Sequence, residues 1–310
     1  MKIAVLTDSS AYLTKEQQEK YHIDVLPIPI IWNGKAYRDL IDIGYKEFYQ
    51  KLAEEKDLPS TSQPSIGDLQ KKIDEYVSEG YTDVLVITLS SGISSYYSSV
   101  VSVAKDETRI KVHPFDSKIT CAGEADFAML AGRLIEAGAD IDLIMHDLTD
   151  LQKTMDVRFM VDDLSHLKRT GRLSNAASFV GTLFKIKPIL SMDVQNKGEI
   201  SAIAKERQYK RAYKHIQNDF DNLTKNMPYK IQCTFFDSLD PKKKQGWLED
   251  YSAKFPKYLF DTSIIGPVVG VHVGQGTMAM IWCRDLNDYF DKNGQPLEGI
   301  NSKEVVDNGE

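Results

Sequence analysis

The stretch Val84-Leu85-Val86-Ile87-Thr88-Leu89-Ser90-Ser91-Gly92-Ile93-Ser94-Ser95-Tyr96-Tyr97-Ser98-Ser99-Val100-Val101-Ser102-Val103 decides how this chain folds. Val84 to Leu89 is an apolar, β-branched run, too short for an ordinary helix and typical of a strand buried on both faces. Ser90-Ser91-Gly92 breaks it. Beyond the glycine the apolar spacing becomes Ile93, Tyr96/Tyr97, Val100/Val101 and Ala104, which is helical. A buried strand, a Ser/Gly turn and a helix start leave backbone N–H groups and hydroxyls at the positive end of the helix dipole. Such a turn is an anion site. The reading is that a small acid's head group lands there, held by hydroxyls rather than by a formal positive charge.

Working outward, strands and helices alternate on both sides. Ile3 to Leu6 reads as a first strand ending in Thr7-Asp8-Ser9-Ser10, and Thr14 opens a capping box for a short helix through Lys20. Ile23 to Trp32, interrupted by Pro27 and Pro29, reads as an edge strand or extended loop before the Asn33-Gly34 turn. Helices follow at 43–56 and, capped by Ser65, at 66–78; the polar loop between them holds Thr61, Ser62 and Ser65. A strand at 110–115 and helices at 123–137 and 141–155 complete a mostly parallel sheet covered by helices. A composition shift near Asp156 marks a boundary. Beyond it the pattern predicts a strand at 157–161, a helix at 176–184, extended structure from Lys187, a turn at Asn196-Lys197-Gly198 and a helix at 209–223. A strand at 229–236 and a helix from Asp240-Pro241 to Phe255 come next. Then Val268 to Cys283 reads as two apolar strands split by Gly274-Gln275-Gly276, with a loosely held tail beyond about Gly294.

Composition narrows the function. A chain of 310 residues, 42% hydrophobic and 27% charged, fits a soluble globular protein of two domains. No apolar run approaches the roughly 20 residues needed to cross a bilayer, which leaves room for transient membrane contact only. Cys121, Cys233 and Cys283 are odd in number and widely spaced, as expected of reduced cytoplasmic thiols. A net charge of −7 argues against a nucleic-acid binder. Residues 164–216 hold 11 basic residues against 3 acidic ones, so this segment carries +8 and the rest of the chain −15. Such an island is either a docking face for a negative partner or a lysine-rich solvated surface.

Metal and nucleotide chemistries are poorly supported. The six histidines show no paired ligand spacing for a metal, and Gly274-Gln275-Gly276 is only a fragment of a dinucleotide fingerprint. A serine esterase would need Ser94 or Ser91 as nucleophile, His272 as base and Asp8 or Asp116 as orienter, without the usual nucleophile elbow. Polar loops after strands, at 7–10, 61–65, 90–95 and 272–277, would converge at one crevice in a doubly wound sheet.

Those loops carry a resemblance. Thr7-Asp8-Ser9-Ser10, Thr61-Ser62-Gln63-Pro64-Ser65, Leu89-Ser90-Ser91-Gly92-Ile93-Ser94, Leu167-Lys168-Arg169-Thr170-Gly171-Arg172-Leu173-Ser174, Lys187-Pro188-Ile189-Leu190 and His272-Val273-Gly274-Gln275-Gly276 resemble the successive motifs of the DegV family, from Lys2 to about Asp285. The resemblance implies a two-domain α/β fold. A mostly parallel N-terminal domain (1–155) and a smaller α/β C-terminal domain (156–288) would enclose a lipid tunnel, followed by a polar tail (289–310). It implies one long-chain fatty acid as ligand, no cofactor, and a role as the non-catalytic, FakB-like acyl-carrier subunit of a bacterial fatty acid kinase. The carboxylate would be presented to a separate ATP-binding kinase subunit and become acyl phosphate, in the cytoplasm, for phospholipid synthesis. By position, Thr61, Ser94, Ser62 and His272 would surround the carboxylate, with Asp8, Ser9, Gly92, Gly274 and Gln275 in supporting loops. Arg172 and Arg207, both in the basic island, would face the kinase. A stand-alone Ser/His esterase and a ligand-sensing regulator of the same fold are the rival readings.

Overall fold

The computed structural model describes residues 2–175 and 186–300; the helix expected at 176–184 lies outside them. In chain order the first half forms β1 (Ile3–Asp8), α1 (Lys15–Lys20), β2 (Ile23–Leu26), β3 (Pro29–Trp32), β4 (Lys35–Arg38), α2 (Tyr45–Glu54), β5 (Ser60–Thr61) and α3 (Ile66–Ser78). It continues with β6 (Asp83–Thr88), α4 (Tyr96–Asp106), β7 (Lys111–Asp116), α5 (Ala122–Glu136) and α6 (Ile141–Thr154). The second half contributes β8 (Asp156–Met160), α7 (Ser165–Arg169), β9 (Lys187–Met192), β10 (Ile200–Glu206), α8 (Tyr209–Thr224), β11 (Ile231–Asp237), α9 (Pro241–Lys254), β12 (Leu259–Ile264), α10 (Pro267–Val273) and β13 (Met278–Arg284).

Strands β1 and β6 are buried at every residue, so they take the centre of a four-stranded parallel sheet ordered β2-β1-β6-β7. The apolar runs Ile3–Leu6 and Val84–Ile87 at their centres are what a sheet covered on both faces demands. The segment 23–32 is two strands rather than one. Its first part joins that sheet, and β3 leaves to form a small antiparallel sheet ordered β4-β3-β5. A second, six-stranded sheet, β10-β9-β8-β13-β11-β12, is antiparallel except for the β11–β12 pair. The sequence reading did not place β10 or β12. Both are edge strands with exposed residues, and an edge strand lacks the continuous apolar run that marks a buried one.

Helix α5 joins the two sheets. Its Ala- and Gly-rich sequence allows close approach: a Cβ on Gly132 would press on the Tyr21 backbone. One apolar core runs from Val5 and Leu85 through Phe127 and Leu130 to Val157 and Ile281.

The largest departure from the sequence reading is at 268–273. The expected strand is the helix α10, buried against Tyr12, Phe48 and Tyr49 of the first half. Tyr49 Oη donates to the Ile265 carbonyl at 2.7 Å, and Val269 N–H donates to Tyr12 Oη at 2.9 Å. A short helix enclosed on all sides is apolar on all sides, so periodicity cannot separate it from a strand. The tail also differs. Leu297 N–H bonds the Tyr289 carbonyl, and Ile300 is buried in the core, so the chain is packed through residue 300. Tyr289 itself is held by a buried Asp150 carboxylate, which also pairs with Arg284 at 3.0 Å. Among the described residues no helix is long and apolar enough to cross a membrane.

Asp126 of α5 is a buried carboxyl facing the second sheet, where Gln232 Nε2 donates to it at 2.9 Å. Burial pushes its pKa up to about 8. Between pH about 4 and 8 the folded chain keeps a proton there that the unfolded chain has lost, so stability falls as pH rises through that window. Asp126→Asn is expected to remove this contribution, which has a slope of up to about 1.4 kcal/mol per pH unit. Urea unfolding between pH 5 and 9 measures it; an unchanged pH slope in the variant would rule the assignment out.

Candidate functional site

The loop after β6 begins on a backbone bond and an acid. Ser90 N–H donates to the Ile119 carbonyl at 2.8 Å, and Leu89 N–H donates to Asp8 Oδ2 at 2.9 Å. Asp8 stands at the end of β1, so neighbouring strands fix the loop's root. A turn from the second half closes on it: Ser90 Oγ donates to the Gly198 carbonyl at 2.8 Å. A Cβ on Gly92 would collide with the Lys197 carbonyl oxygen and with Gly198, all backbone atoms. Ser94 follows, its Oγ accepting from Tyr96 N–H in the first turn of α4 at 3.2 Å, which leaves the Ser94 O–H available to donate. The α4 N-cap, Ser95, makes no side-chain cap bond, and no acid lies in the first turn. The end is therefore electropositive.

The partner groups arrive from far along the chain. Thr61, in β5, lies 2.8 Å from His272 Nε2 in α10. Gln63 ties the Thr61 loop to α4, accepting from Ser95 Oγ at 2.8 Å and donating to Ser99 Oγ at 2.9 Å. Burial pushes the His272 pKa down to about 3, with Arg172, Arg169 and His166 adding to the shift, so the ring is neutral. Its Nδ1 is buried and has no partner among the described residues. A buried lone pair left unpaired is better tolerated than a buried N–H, so we assign the proton to Nε2, donating to Thr61 Oγ1. The Thr61 O–H is then free to point at an acid oxygen.

The expected residues do not all converge. Ser62 is exposed and donates to the Gln63 carbonyl, and Gln275 is exposed. Ser9 serves the scaffold, donating to Asp39 Oδ2 at 2.8 Å and accepting from Ile28 N–H. Gly274 has φ 74° and lies against the His166 ring. Arg207 is exposed just beyond β10. Arg172 is half-buried, and its Nε donates to the Ile93 carbonyl at 3.2 Å, next to Ser94. The site is thus not served by hydroxyls alone: two guanidiniums, Arg169 and Arg172, act on His272. Arg169, His166 and Gln63 were not singled out as site residues from the sequence, although each lies in or beside a quoted motif. Among the described residues no hydrolase triad is assembled: Asp116 bonds Ser91, Asp8 bonds Ser10, and His272 Nδ1 meets no carboxylate.

Beneath the loops lies a buried acid pair. Ser10 Oγ is within 2.7 Å of Asp8 Oδ1, 2.8 Å of Glu124 Oε2 and 2.9 Å of Thr120 Oγ1. A hydroxyl has one proton to give, so the other two contacts need protons from their partners. Thr120 can supply only one. One of the two carboxyls is therefore protonated, in keeping with the strong upward push that burial and then Asp8 give Glu124.

An apolar cavity of about 40 Å³ lies between the second sheet, the segment 119–121 and α10, lined by residues that include Ile119, Phe159, Met192, Phe236, Val273 and Ile281. Val273 adjoins His272, so α10 serves the cavity and the polar pair at once. Among the described residues no cluster could hold a metal ion.

A family model described as "Uncharacterised protein, DegV family" matches residues 2–285. The chain is 38% identical over 285 residues to Protein DegV of Bacillus subtilis, covering 91% of this chain and 99% of that one. A crystal structure of DegV from Bacillus subtilis, described as a fatty acid binding protein, superposes with TM-score 0.84 at 36% identity, covering 92% of this chain and all (100%) of that one. The fatty acid binding DegV family protein SAG1342 from Streptococcus agalactiae gives TM-score 0.85 at 29% identity over 92% of this chain and 99% of its own. With its motifs in order, its mixed α/β architecture shared and nearly its whole length matched, this chain belongs to the DegV family.

Proposed function

We propose that this chain binds one long-chain fatty acid, with its carboxylate held by the Thr61 and Ser94 hydroxyls and its tail between the sheets. The observation that carries the reading is the Thr61–His272 pair, placed by the same helix that lines the apolar cavity. A cavity of about 40 Å³ has room for only a few water molecules, so an acyl chain enters as its lining side chains move apart. The gain is large enough to drive that: at about 0.8 kcal/mol per methylene, some 14 methylenes contribute on the order of 11 kcal/mol gross, less ordering costs. Tail burial supplies affinity and the hydroxyls supply orientation.

The bound acid would be presented to a separate ATP-binding kinase subunit in the cytoplasm and converted to acyl phosphate, without a cofactor on this chain. The exposed Arg207 and the basic residues around it suit a negatively charged docking partner. Arg172, bonded beside Ser94, would report head-group chemistry to that partner. Denaturing extraction and mass spectrometry after exposure to a fatty acid mixture is expected to release one long-chain acid per chain. No stoichiometric acid would sink the binding reading. Adding ATP and a fatty acid kinase subunit is expected to yield acyl phosphate, and its absence would confine the protein to binding.

A further inference from the structure

One guanidinium joins the two backbones that carry the acid-binding pair. Arg169, the last residue of α7, donates from Nη1 to the Pro59 carbonyl at 3.2 Å and from Nη2 to the Val271 carbonyl at a long 3.5 Å. Pro59 stands two residues before Thr61, and Val271 one residue before His272. Val271 lies in the last turn of α10, where carbonyls have no helical partner. His166, one turn earlier on α7, faces Gly274, the residue that ends α10. Its ring is seated so closely on Gly274 that a Cβ there would stand 2.7 Å from Cδ2. No carboxylate pairs with Arg169 among the described residues, and only burial shifts its pKa, downward. Its charge is directed at two backbone oxygens, and a planar fork can span two acceptors where an ammonium meets them as a point charge.

The pair needs such support. β5 is two residues long and α10 seven, so neither is held by an extended element of its own. We propose that Arg169 is a positioning residue: by holding the Pro59 and Val271 carbonyls it sets the Thr61–His272 separation, without touching the acid. This rests on the reading of Thr61 and His272 as the acid-binding pair.

The test uses the full chain with palmitate and with hexadecanol, which has the same tail and no carboxylate. Arg169→Met keeps the packed stem and removes the fork. It is expected to weaken palmitate about fivefold, leave hexadecanol nearly unchanged, and shift the ¹⁵N resonance of His272 Nε2. Arg169→Lys, which can reach one carbonyl, is expected to fall between. Thr61→Val is the control for the parent reading. If Thr61→Val loses the preference for acid over alcohol while Arg169→Met keeps it with His272 unmoved, the positioning role is overturned and the binding site stands. If Thr61→Val keeps the preference, the parent reading fails instead. Equal loss of both ligands in Arg169→Met would mark a general packing role and also overturn the proposal. Should Arg169→Met not fold, the acid/alcohol ratio and His272 resonance of Arg169→Lys decide.

Discussion

Gly92→Ala is expected to lower stability by about 1–3 kcal/mol and to weaken acid binding together with it. The added Cβ meets only backbone, the Lys197 carbonyl oxygen and Gly198, and no side-chain rotation can relieve it. Either the loop 89–95 or the turn 196–198 must retreat, and the Ser90–Gly198 bond is the first to go. Ser94 and the start of α4 move with the loop. Urea unfolding gives the stability through the midpoint, and titration with palmitate gives the affinity. A variant with both unchanged would show that the two loops are not pressed together as described.

Thr61→Val is expected to weaken palmitate on the order of 10- to 100-fold, the value of a hydrogen bond to a charged acceptor. The change keeps the shape and deletes one oxygen. On the proposed reading the lost group accepts from His272 Nε2 and donates to the acid, so the variant would also leave an imidazole N–H unpaired. Hexadecanol is expected to lose much less, because burial of its tail is untouched. An equal loss for acid and alcohol would place the carboxylate elsewhere.

Much of this arrangement was legible in residue patterns. The apolar run that begins at Val84, the Thr14 capping box and the Ser65 cap all stand where local chemistry puts them. These are short-range effects, decided within one turn or one strand. What sequence reading could not see is set by contacts between distant segments. The apolar 268–273 segment is a helix because Tyr12, Phe48 and Tyr49 enclose it. Gly92 reads as part of the turn that ends a strand, and only the arrival of residues 197 and 198 shows why a side chain is excluded there. Arg169 looks like one more charge in a basic island until its fork is found on Pro59 and Val271. Arg172 likewise turns inward to Ile93, which a charge count cannot express.

The reach from Thr61 to His272 has a consequence for biosynthesis. The two residues are 211 positions apart, and at roughly 5–20 residues per second a ribosome needs on the order of ten to forty seconds to make the intervening chain. Throughout that time the nascent N-terminal half has no imidazole opposite its threonine and no second wall for a hydrocarbon. If the chain carries a fatty acid as proposed, detergent-like molecules meeting the growing polypeptide would find no finished receptacle, and cargo loading would wait for a completed chain.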